Sequence, residues 1–133
     1  MMRIYITYCS AKKNDSLKTS GEEVTPDKLY TSGPIRRFMN TCKQKKVNWA
    51  IFSDGYGVWF PNEKKKWYEK SPNLVTEEEF KNLVNDFNRE LSPYDEILFY
   101  YNPGRFHGLY QRLLQETKLK DRIRKFTHIS EIV

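Results

Sequence analysis

Three apolar runs end in small, polar or glycine residues, and this pattern frames the chain. Ile4-Tyr-Ile-Thr-Tyr8 runs into Cys9-Ser-Ala-Lys-Lys13, and Trp49-Ala-Ile-Phe52 stops at Ser53-Asp54, with Gly55 and Gly57 bracketing Tyr56. Ile97-Leu-Phe-Tyr-Tyr101 leads to Asn102-Pro-Gly-Arg105. Short, near-continuous apolar runs predict strands buried on both faces, and a polar break at the strand end presents functional groups there. Residues 3–8 form the first predicted strand, the segment from Val47 to Trp59 carries the second, and residues 96–101 form the third.

Helices are predicted between them. Ser32-Gly33-Pro34 is a start signal, followed by Ile35, Phe38, Met39 and Cys42 on one stripe. Cys42 therefore reads as a small apolar core residue, and Lys43, Lys45 and Lys46 complement the helix C-terminus. The next helix opens on a capping box, Thr76 with Glu79, and a staple of Val75 and Phe80. Its stripe is Phe80, Leu83, Val84, Phe87 and Leu91, and Ser92-Pro93 ends it. A third helix carries Phe106, Leu109, Tyr110, Leu113 and Leu114, with Arg105 and His107 in its first turn. The chain closes on a short strand around Phe126 to Ile129, or on one more helical turn between Leu119 and Phe126. Residues 9–29 show no periodicity and read as a long functional or mobile loop.

The order β-α-β-α-β-α-β predicts an α/β fold. Its form is a three-layer sandwich: a mainly parallel four-stranded sheet with helices on both faces, in one domain over 1–133. Ligands of such sheets bind beyond the carboxyl ends of the strands. The Cys9 loop, the Ser53-Asp54 turn and the Asn102 loop are therefore expected to meet at one rim.

Composition adds a partner to this picture. The 133-residue, 16.0 kDa chain carries 23 basic and 17 acidic residues, a formal charge of +6, and a pI near 9.3. Such a balance suits a polyanion such as nucleic acid, or only a solvated Lys/Glu surface. Nine tyrosines, eight phenylalanines and three tryptophans suit either a compact core or base stacking. The segment Lys64-Lys-Lys-Trp-Tyr-Glu-Lys70 interleaves cations and rings. It reads either as a nucleic-acid grip or as a solvated loop whose Trp67 packs down on the domain.

Two cysteines make no disulfide framework and no metal spacing, so both are expected reduced in a cytoplasmic protein. No apolar run suits a signal peptide or a membrane span, so no membrane partner is expected. No Walker loop, dinucleotide fingerprint or zinc signature is present, and no cofactor or metal is implied.

Among chemical candidates, Asp54 is the best general acid or base, and the competing reading makes it the cap of the Gly-Tyr-Gly turn. Cys9 is a nucleophile if Lys12 and Lys13 lower its pKa, and otherwise a small residue fitting a turn or shaping a pocket. Tyr56 between two glycines offers a ring to a ligand. His107 reads as a local hydrogen-bonding residue. Arg36 and Arg105 each fall near a predicted helix N-terminus, where an anion could be held.

Cys9-Ser-Ala-Lys-Lys13, Leu29-Tyr-Thr-Ser32, Ser53-Asp-Gly-Tyr-Gly-Val58, Pro61 and Tyr68-Glu69 together resemble a family of small domains similar to the bacterial peroxide-stress protein YaaA. They are also similar to the Cys-Ser…Lys-Pro-Tyr-Ser motif in the core domain of archaeosine synthase, which modifies a deazaguanine base in transfer RNA. The likeness spans residues 3–115 and implies a pocket of Cys9, Ser10, Lys12, Tyr30, Ser32, Ser53, Tyr56 and Gly57. The chain departs from the motif by lacking its Lys-Pro-Tyr continuation, and it has no separate RNA-binding module.

The expectation that follows is a nucleobase- or nucleotide-binding domain acting on nucleic acid, DNA or RNA, in base modification, base excision or stress response. Tyr56 or Tyr30 would stack, Asp54 would move a proton, and Lys12 with Arg36 would hold phosphate. The competing readings are a non-catalytic basic module using Lys64–Lys70 and a stress sensor centred on Cys9.

Overall fold

The computed structural model describes residues 2–133. Five strands form one sheet in the order β3-β2-β1-β4-β5: β1 (Arg3–Tyr8), β2 (Trp49–Ser53), β3 (Gly57–Trp59), β4 (Glu96–Tyr100) and β5 (Ile123–Phe126). β1 lies at the centre, parallel to β2 on one side and to β4 on the other, and β5 is parallel to β4. Only β3 runs antiparallel, against β2.

The sheet is thus mixed and five-stranded, where the sequence predicted four mainly parallel strands. The additional strand comes from a hairpin inside the segment that reads as one strand. Ser53 Oγ accepts the N–H groups of Gly55 and Tyr56 at 3.1 and 2.9 Å, which turns the chain. Gly57 takes a φ of 79°, open to glycine, and a Cβ there would collide with the Asp86 carboxylate. Asp86 instead accepts the Val58 N–H at 2.7 Å. Val58 and Trp59 then point to opposite faces, as strand residues do.

Helices cover both faces, so the central strands are mostly apolar, whereas the edge strand β5 exposes Arg124 and Lys125. On one face Tyr5, Trp49, Ile51 and Leu98 meet Ile35, Phe38, Met39 and Cys42 of α3 (Gly33–Lys45). On the other, Ile4, Ile6, Phe52, Ile97 and Phe99 meet α4 (Glu77–Leu91) and α5 (Gly108–Glu116). The Thr76–Glu79 capping box is present in full, and Phe80, Leu83, Phe87 and Leu91 are buried with Val84 half-buried beside them.

Three boundaries differ from the predicted ones. Residues 9–29 are not one structureless loop but contain α1 (Ser16–Ser20) and α2 (Pro26–Leu29), anchored by buried Leu17, Val24 and Leu29. Val24 and Lys65 exchange two backbone hydrogen bonds of 2.9 and 2.8 Å, tying this segment to the basic loop. Helices of five and four residues are too short to show a period. α5 starts at Gly108, later than predicted; His107 is its N-cap and Arg105 sits in a separate single turn, Pro103–Arg105. The last strand, β5, precedes the predicted position, because Lys120–Arg122 forms one tight turn and Ile129–Glu131 another. Among the described residues no helix is long and apolar enough to cross a membrane.

Candidate functional site

The chain leaves β1 toward α3 on one face and leaves β4 toward α5 on the other, so a crevice opens between the carboxyl ends of these two strands. A cavity of about 400 Å³ lies there, bordered by Cys9, Ser10, Lys12, Ser32, Asn102 and Arg105. Across the Cys9–Ala11 segment is a second cavity of about 380 Å³, bordered by Lys13, Asp54, Lys70, His107 and Tyr110. Tyr8, Cys9, Ser10, Ala11 and Arg105 border both.

The wall between the cavities is held from several directions. Cys9 N–H donates to Phe52 O at 2.9 Å, extending the β1–β2 ladder by one step. Tyr8 stacks on Tyr110 with ring centres 5.0 Å apart, and its hydroxyl accepts the Asn102 N–H at 3.1 Å. Asn102 uses its own Oδ1 to accept the Gly104 N–H, so its side chain shapes the loop.

At the base of this wall three polar groups meet. The Cys9 thiol donates to Asp54 Oδ1 at 3.4 Å and lies 3.3 Å from the Tyr110 hydroxyl. Asp54 is only 4% exposed, the one buried carboxyl among the described residues. Burial raises its pKa, and the Cys9 hydrogen bond and the Lys13 charge offset this in part. Cys9 is pushed up to about 11, first by burial and then by the negative charge of Asp54. Neither Lys12 nor Lys13 acts to lower this thiol's pKa; burial and the Asp54 carboxylate raise it.

The second half of the cluster is a chain of hydroxyls. Ser53 Oγ donates to the Tyr68 hydroxyl at 2.8 Å, and Tyr68 and Tyr30 share a hydrogen bond of 2.6 Å. Burial raises the pKa of Tyr68, Tyr110 and Tyr30, so all three phenols stay protonated. Because Ser53 caps the turn, Asp54 does not. Its carboxyl is left for the thiol and the cavity. Among the described residues no three His, Cys, Asp or Glu side chains group as metal ligands would.

No protein-family model, curated protein or solved structure matches this chain.

The structure brings Cys9, Ser10, Lys12, Ser32, Asn102 and Arg105 to one cavity and Asp54 to its neighbour. Other expected residues lie elsewhere. Tyr30 is fully buried and shows no ring face to a ligand. Tyr56 is half-buried, packs edge-on against Tyr68 and Trp59, donates its hydroxyl to Lys66 O at 3.0 Å, and borders a further depression that also reaches Asp54. Ser53 and Gly57 build the turn. Arg36 borders a separate depression with Asn14 and Asp27. In the basic loop, Trp67 packs against the core with the Lys18 ammonium 5.2 Å from its ring, so it is not free to stack on a base. His107 acts locally: Nδ1 accepts the Leu109 N–H at 3.0 Å, and Nε2 pairs with Asn73 Oδ1 at 2.7 Å.

Sequence reasoning misses Tyr110 and Tyr68. Tyr110 sits on an apolar helical stripe and reads as core. The available signal is its hydroxyl, which needs a partner once buried. Tyr68 figures in the family resemblance, as Tyr68-Glu69, but the basic loop around it gives it no place in the pocket that the resemblance implies.

Proposed function

We propose that this chain is a cytoplasmic α/β domain that binds a nucleobase or nucleotide within nucleic acid and acts on the base. One observation carries the reading. Lys12, Lys13 and Arg105 border the two cavities beside Cys9, Asp54 and Tyr110, and none of the three makes a salt bridge with a carboxylate among the described residues. Free cations above a polar, partly aromatic floor fit a flat ring that carries phosphate. Buried Asp54, with its raised proton affinity, is suited to give or take a proton at a ring nitrogen or exocyclic group. The similarity of Cys9–Lys13 and Ser53–Val58 to base-modifying and stress-linked domains points the same way.

Fluorescence anisotropy with labelled single-stranded RNA and DNA of random sequence tests this. Affinity is expected to fall with salt, and Lys12→Ala to reduce the slope of log K against log salt by about 0.7, the value of one phosphate contact on a single strand. Lys64→Ala with Lys66→Ala is expected to change little. Binding lost through the Lys64/Lys66 pair and untouched by Lys12→Ala would instead make the basic loop the binding element. No binding to either nucleic acid would sink the reading.

A further inference from the structure

The two cavities are close in size and share a wall, and an exposed arginine borders both. We infer that they form a two-unit site, taking two consecutive nucleotides of a single strand with the linking phosphate on Arg105. The inference rests on the nucleotide-binding reading above and adds the size and polarity of the ligand.

Each volume, about 400 and 380 Å³, lies at the lower end of the range for sites that enclose one small ligand. The partition is rigid: Tyr8 is stacked on Tyr110, and Cys9 is held by the β1–β2 ladder. One large ring system therefore cannot lie across both cavities, whereas two rings on a flexible linker can straddle the wall.

The linker must be an anion, because Arg105 stands over the wall exposed and its guanidinium makes no hydrogen bond or ion pair among the described residues. A guanidinium can meet two phosphate oxygens at once. The two halves also differ. The first sets Ser32 and Asn102 beside Pro34, Ile35 and Tyr100 and has no carboxylate. The second holds Asp54 and the Tyr110 phenol at its floor and Pro72 with Leu74 at its side. Leu74 is 69% exposed, one of the few large apolar side chains on the described surface. An apolar side chain at a cavity mouth gives a base something to pack on. The second cavity is thus the one whose base meets Asp54, and the first holds its neighbour on the strand.

Isothermal titration calorimetry on the whole chain separates the possibilities with three probes: a pool of nucleoside monophosphates, a pool of the sixteen dinucleoside monophosphates, and NAD, in which a pyrophosphate joins the two nucleosides. Ribo and deoxy forms of both pools are used. The dinucleotide pool is expected to bind about tenfold or more tightly than the mononucleotide pool. Arg105→Ala is expected to erase that advantage, leaving the pools within about twofold of each other. Tighter binding of NAD than of the dinucleotide pool would keep the two-unit site but exclude a strand as its source. Equal affinity of the two pools in the unaltered protein overturns the inference and leaves nucleotide binding standing. Failure of all three probes overturns both.

Discussion

Asp54 carries a cost that its replacement should reveal. Its proton is held more tightly in the folded protein than in the unfolded chain, where an aspartate titrates near about 3.9. As pH rises from that value through the raised folded pKa, the native state must either keep a proton that the unfolded chain releases or bury a charge. Stability falls across that window and stays lowered above it. Asp54→Asn removes the charge and leaves the Ser53-capped turn intact. The melting temperature of the variant minus that of the parent is expected to grow from about pH 3 to neutrality and then level off. A difference that shrinks with rising pH would mean that Lys13 and the thiol stabilise the carboxylate by more than burial penalises it. Asp54 is readable from sequence because the apolar strand before it fixes where it emerges, at the rim of the sheet. Tyr110 is not, since a phenol at helical spacing looks like core until its hydroxyl is placed.

The β2–β3 hairpin shows which local pieces the sequence resolves. Long helices such as α4 declare themselves through a capping box and a regular apolar stripe. β3, three residues long, is too short to show a pattern of its own, so the Ser53-Asp54 break and the glycines read as the end of one strand rather than a reversal into a second. α1 and α2 are hidden for the same reason of length. Gly57 is the residue on which the reversal depends. Gly57→Ala is expected to cost about 1–2 kcal/mol from its left-handed backbone alone. More is added because its methyl group would press on the Asp86 carboxylate that holds Val58. Chemical denaturation of Gly57→Ala, and of Gly57→Ala with Asp86→Ala, separates the two contributions. A single variant as stable as the parent would show that the turn tolerates a side chain.

The α/β class and the meeting of the β1 and β4 loops follow from the alternation of strands and helices, since parallel strands put their loop ends on one rim. The pairing of individual side chains does not, because it depends on contacts between segments remote along the chain. That remoteness is greatest for β1. Its partners are residues 49–53 on one side and 96–100 on the other. A fragment ending at residue 95 leaves β1 paired on one side only and deprives Ile4 and Ile6 of Ile97, Phe99 and α5. It is expected to show no cooperative thermal transition by circular dichroism; a cooperative one would mean that the first half folds alone. On the ribosome the same arrangement sets an order of events. The strand that ends up innermost emerges first, and its second partner follows on the order of 5–20 s later at ordinary elongation rates. For that interval an Ile- and Tyr-rich segment waits with unmatched backbone amides, so in the cell chaperone capture has its longest window at the part of the chain that is finally the most sheltered.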